Sequence, residues 1–91
     1  MMDIEEYRKR KRFLQRVLIG YDRLVPTFMD LHDKWIDNKE VLDKVLGIYE
    51  PLLNKKVKFL LTTELNCDEI KAFAKEIEDA RRVLEDFKNG N

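Results

Sequence analysis

An all-α fold, an antiparallel three-helix bundle with a long, Pro-kinked first helix, is what this 91-residue chain predicts. Three observations carry the prediction. Apolar residues recur at steps of three and four over most of the chain, the period of a helix face. The same helix-start signal occurs three times. The stretches between the periodic segments are too short for anything but tight turns, and short turns make consecutive helices antiparallel.

The first helix is expected over residues 4–36. Its stripe runs Tyr7, Leu14, Leu18, Tyr21, Val25, Phe28, Trp35, with Lys11 and His32 at the two polar positions. The register passes through Pro26 without a break, so a kink inside one helix is expected there rather than a loop. The second helix, 38–62, is the most apolar. Its band includes Val41, Val45, Ile48, Leu52, Leu53, Phe59 and Leu60, with Val57 beside them. A band about half the circumference wide needs two neighbours, which places this helix between the others or at an interface. Pro51 follows Gly47 by four residues, where a missing Cβ relieves the crowding of the proline ring. The alternative makes Pro51 the first residue of a further helix. The third helix, 67–88, has a narrower seam of Ile70, Phe73, Ile77, Ala80, Leu84 and Phe87. Its outer face carries opposite charges four apart, from Lys75–Asp79 to Arg82–Asp86, expected to be a solvated surface.

The start signal is a capping box, in which a short polar side chain accepts from an orphan N–H and a Glu three residues on reaches back. Asp3 with Glu6, Asp37 with Glu40 and Asn66 with Glu69 fit it. Apolar pairs suited to a hydrophobic staple bracket each: Met2–Tyr7, Ile36–Val41 and Leu65–Ile70. Gly90 suits a C-terminal stop. The first helix outruns the second, so residues 3–11 are expected to project past the end of the hairpin.

A chain of this length is one helical domain, 1–91, and buries only about 60–65% of its unfolded surface, which favours tight packing or association. Net charge is zero but unevenly spread. Residues 1–24 hold seven basic and four acidic side chains, net +3, and residues 64–91 five against eight, net −3. Such asymmetry suits head-to-tail self-association or internal pairing. The single Cys67 excludes a disulfide within the chain and fits a reducing compartment. No apolar run approaches the about 18 residues of a membrane span, no signal-peptide pattern opens the chain, and a cytoplasmic protein is expected. The absence of serine excludes serine-nucleophile chemistry. High charge with one glutamine fits a thermophile composition, against which stand five asparagines.

The strongest functional feature is basic. Arg8, Lys9, Arg12, Arg16 and Arg23 lie opposite the apolar stripe, and Arg8, Arg12 and Arg16 repeat like charge four apart, which costs a few tenths of a kcal/mol per pair unless something anionic covers them. Three covers are open: nucleic-acid phosphate, which arginine forks bind bidentately; an acidic protein surface; or the chain's own Glu64, Asp68 and Glu69 in the turn before the third helix. Asp30, Asp33 and Asp37 form an acidic stripe, a solvated face or a dock for a basic partner. His32 has no ligand partners at metal spacing, and Cys67 has neither a second cysteine nor a neighbouring histidine, so neither a metal nor another cofactor is expected. The expected function is a non-enzymatic interaction module or small accessory subunit, binding a protein partner or itself through the apolar band. The alternative is a protein that binds the nucleic-acid backbone; an enzyme with its site between helices ranks third. Basic side chains converging in a cavity would favour catalysis, and a convex basic surface would favour binding.

Overall fold

The computed structural model describes residues 3–62 and 64–89. Three helices account for nearly all of them: α1 (Ile4–Lys34), α2 (Lys39–Leu61) and α3 (Cys67–Lys88), with every pair in contact. The expected bounds are met within two residues at each end. Both prolines lie inside continuous helices, so the alternative of a new helix starting at Pro51 is set aside. The helix bounds show continuity through Pro26; a bend there is a prediction. No helix among the described residues is long and apolar enough to cross a membrane.

Consecutive helices run antiparallel, which makes α1 and α3 parallel. Arg10 near the start of α1 reaches Leu65 at the start of α3, and Trp35 at the end of α1 reaches Phe87 at the end of α3. The bundle is a rod of 51 × 19 × 17 Å, its length set by the 31 residues of α1 at about 1.5 Å each.

The start signals are realised with one shift. Asp3 accepts from Glu5 N (3.4 Å), and Asn66 accepts from Asp68 N (2.8 Å) and Glu69 N (3.4 Å). The cap of α2 is Asn38, accepting from Val41 N at 3.2 Å, and not Asp37. The reciprocal arms of the boxes do not form among the described residues. Glu6 bonds Arg10 one turn on and Glu40 faces Lys44, because an i,i+4 cation competes for the same carboxylate. With Asn38 as cap the Ile36–Val41 staple loses its register, and Ile36 is exposed. Leu65 and Ile70 are both buried. The Met2–Tyr7 staple and Gly90 lie outside the described residues.

The core is built from one row per helix. Val45, Leu52 and Phe59 of α2, seven apart, face Leu14, Val17, Tyr21, Leu24 and Leu31 of α1 and the expected α3 seam. Aromatic rings stack through its middle: Phe28 on Tyr49 (4.1 Å between centroids), Tyr49 near Tyr21 (5.9 Å), Phe59 on Phe73 (5.3 Å). Two expectations are corrected here. α1 turns its Leu14–Val17–Tyr21–Leu24–Leu31 row inward, while Leu18, Val25 and His32 of the expected stripe are only half-buried. The cause is the neighbour: α1 packs most extensively on α3, not on α2. Val17 and Gly20 sit against Ala74 and Ile77, where a Cβ on Gly20 would come 3.9 Å from Ile77 Cγ2. α2 touches both partners but is not the middle layer.

Of residues 3–11, residues 3–5, 8, 9 and 11 are exposed, and Arg10 is the one bonded to a distant element. Its Nη1 donates to Leu65 O in the α2–α3 turn at 2.6 Å. At the other end Lys34 Nζ and Trp35 Nε1 donate to Lys88 O (2.7 Å) and Phe87 O (3.3 Å), satisfying carbonyls that the last turn of α3 leaves orphaned. Lys55–Glu76 ties α2 to α3, and Lys56–Asp22 (3.4 Å) ties α2 to α1. On α3 itself none of the expected four-spaced pairs closes; Arg81 turns back to Glu78 instead.

Candidate interaction surfaces

The basic residues fan out across the outward side of α1. A four-residue step on a helix advances about 40°, so Arg8, Arg12 and Arg16 drift across that side rather than stacking in a line. Arg8 borders Lys11 and Gln15 on one flank of Arg12, and Arg16 borders Ala74 and Glu78 of α3 on the other. All five of Arg8, Lys9, Arg12, Arg16 and Arg23 are exposed, and none makes an ion pair within 4.0 Å with another described residue. Their cover by Glu64, Asp68 and Glu69 is therefore not formed. The residue that reaches that turn is Arg10, steadied by Glu6 and by the Leu65 carbonyl. Sequence spacing pairs Arg10 with Glu6 but gives no hint of Leu65, which only the third helix brings near.

Tyr7, Arg10, Lys58, Thr62, Glu64 and Glu69 line a cleft at this end of the bundle. It holds two cations and two carboxylates, and the arginines on the outward side of α1 do not enter it. Between the basic residues run open, shallow grooves, one lined by Lys9, Arg12, Phe13 and Arg16 and another by Arg8, Lys11, Arg12 and Gln15.

The seven apolar residues expected to face a partner divide. Val45, Leu52 and Phe59 are core, a correction that follows from their seven-residue spacing along the inward row. Val41 and Ile48 are half-buried at its edge. Leu53 and Leu60 are exposed and continue into Val57 and Leu61, the last two leucines being 61% and 79% exposed. Ile19 (54%) and Met29 (59%) are exposed on α1. Both lie off the main stripe, and an isoleucine and a methionine among charges on the outer face were the available signal. Lys56–Asp22 and the Phe28–Tyr49 stack fix the antiparallel register of α1 and α2. That register sets Leu53 level with Val25 and Leu60 level with Leu18, so the exposed α2 residues adjoin the half-buried edge of α1.

The acidic stripe Asp30, Asp33, Asp37 is exposed. His32 sits half-buried 6.4 Å from the Phe28 ring, with Nδ1 3.7 Å from the carboxylate of the adjacent Asp33. Among the described residues no three His, Cys, Asp or Glu side chains converge, and Cys67 is a half-buried free thiol in the first turn of α3. Comparison of the chain with protein families, curated proteins and solved structures finds no match.

Proposed function

We propose that this chain is a non-enzymatic helical interaction module, or a small accessory subunit, that binds a protein partner or a second copy through its helix faces. The observation that carries the reading is the run of exposed apolar residues Leu53, Val57, Leu60 and Leu61 on α2, with Ile19 and Met29 exposed on α1 of a 91-residue chain. Water-facing apolar groups gathered on one side mark interaction surfaces, whereas singly scattered ones are ordinary. The spread of the basic residues over an open, exposed helix face also supports binding over catalysis, because a reaction needs groups that converge on one substrate atom.

The runner-up, binding of a nucleic-acid backbone, is favoured by five exposed cations with no ion-pair partner among the described residues. Base stacking does not add to it: Tyr7 and Phe13, the aromatics nearest the arginines, both pack on the core.

Sedimentation of the native chain beside Leu53→Asp and Leu60→Asp tests the first reading. Association at micromolar concentration, lost in both variants at unchanged helicity, is the expected result. A chain monomeric at millimolar concentration, with no partner discriminating it from these variants, would overturn it. For the runner-up, three phosphate contacts through Arg8, Arg12 and Arg16 require affinity to fall with a log–log salt slope of about −2 to −3. Undetectable or salt-independent binding removes that reading.

A further inference from the structure

The outward face of α1 is organised along its length in a way that neither function alone explains. Positions alternating by four and three from Arg8 to Asp33 are all exposed. The N-terminal part is basic, with Arg8 and Arg12. The middle carries Ile19, Pro26 and Met29. The C-terminal part is acidic, with Asp30 and Asp33 and then Asp37 in the turn. A nucleic acid would cover the first part and be repelled by the last. An acidic protein has the same difficulty, and a basic one the reverse.

A second copy running the opposite way meets all three parts at once. Reversed about a point between Asp22 and Arg23, Arg12 comes level with Asp33, Arg8 with Asp37, and Ile19 with Pro26. At the centre Asp22 of each copy lies near the axis, with Lys56 of its own α2 beside it at 3.4 Å. The same axis sets Leu53 level with Val57 on the adjoining edge of α2, so the apolar residues gather near the axis and opposite charges meet at both ends. We propose that a second copy of this chain docks antiparallel on the outward face of α1 and the neighbouring edge of α2, about a two-fold axis at Asp22–Arg23. The inference rests on the interaction-module reading and names its partner. An isologous contact of this kind is the commonest form of homo-oligomer. A face 51 Å long on a molecule 19 Å wide has room for the roughly 800 Å² per partner of a standard interface.

Charge reversal tests the register. In Arg12→Glu each end of the dimer sets the introduced carboxylate against Asp33. In Asp33→Arg each end sets the introduced guanidinium against Arg12. Each single variant should weaken self-association about tenfold or more, since two pairs are lost and two repulsions made. An equimolar mixture of the two variants should restore a mixed dimer at near-native affinity. One of its ends then sets Arg12 against Asp33 as in the native pair, and the other sets the two introduced charges, again opposite, against each other. Neither change endangers the fold: Arg12→Glu relieves like-charge crowding, and Asp33→Arg places a cation in the last turn of α1, where the helix dipole favours it. Loss in both singles with recovery in the mixture supports the proposal. A dimer that Leu53→Asp dissociates but the charge reversals leave intact overturns this arrangement and keeps the interaction module. A native chain monomeric at millimolar concentration overturns the proposal. If that monomer also fails to distinguish Leu53→Asp in any binding assay, the module reading falls with it.

Discussion

Tyr21 is where the three helices meet. Its ring is almost wholly buried, lies 6.5 Å from Phe73 of α3, and carries a hydroxyl that donates to Tyr49 of α2 at 2.9 Å. Lys56 Nζ lies over the same ring at 4.8 Å. Burial, and next the Tyr49 hydrogen bond, push the Tyr21 phenol well above its ordinary value of 10.0. The sign follows from which state holds the proton. Above pH 10 the unfolded chain releases it while the folded chain keeps it, so this contribution is complete below pH 10 and declines as pH rises beyond that. Tyr21→Phe should cost about 1 kcal/mol at neutral pH, because Tyr49 is half-buried and can turn to water. In a chain of this size that lowers Tm by about 4–8 °C. The variant should also lose less stability than the native chain between about pH 9 and pH 11, which thermal melts at the two pH values would measure.

For the helices as elements, the decisive matter is which edge of α1 faces inward. Leu24 is fully enclosed, whereas its neighbour Val25 is half-buried on the α2 side. Leu24→Ala should therefore cost about 2–5 kcal/mol in chemical denaturation. Val25→Ala, losing two half-covered methyl-sized groups, should cost about 1 kcal/mol. Equal costs would mean that the row through Leu18 and Val25 shares the core equally. At Pro26 the missing N–H and the ring's clash with the preceding turn predict a bend. Residual dipolar couplings should give distinct axes for residues 4–22 and 27–34; a common axis would mean that α1 is straight through Pro26.

At the scale of the molecule, the arrangement of charge separates folding from function. Lys55–Glu76, Lys56–Asp22 and the Arg10–Leu65 bond hold helix to helix, and the outward arginines take no part in them. Replacing Arg8, Arg12 and Arg16 together by alanine should leave the monomer's thermal stability unchanged or slightly raised. Like-charge repulsion is relieved and alanine is the better helix former. A loss above about 1 kcal/mol would mean that the arginines pair internally after all. The same triple change should abolish self-association if the antiparallel dimer holds, since Arg8 and Arg12 supply its basic ends.

The amino-acid sequence by itself determined the three helices, their lengths within two residues, their continuity through Pro26 and Pro51, and the α3 seam. These are local properties: the period of burial and the chemistry of Asp3 and Asn66 act within a few residues of chain. It also set apart the arginines of the first helix, because like charges four apart are visible in any helical register. Tertiary structure alone decided which of two adjacent rows of α1 is core. Leu14 and Tyr21 belong to both rows, and only the close approach of α3 beside Gly20 selects Val17, Leu24 and Leu31 over Leu18, Val25 and His32. It decided likewise that Val45, Leu52 and Phe59 are enclosed while Leu53 and Leu60 meet water. An apolar band wide enough for two neighbours does not say where they stand, and the burial of each residue follows from the angle at which the second neighbour packs.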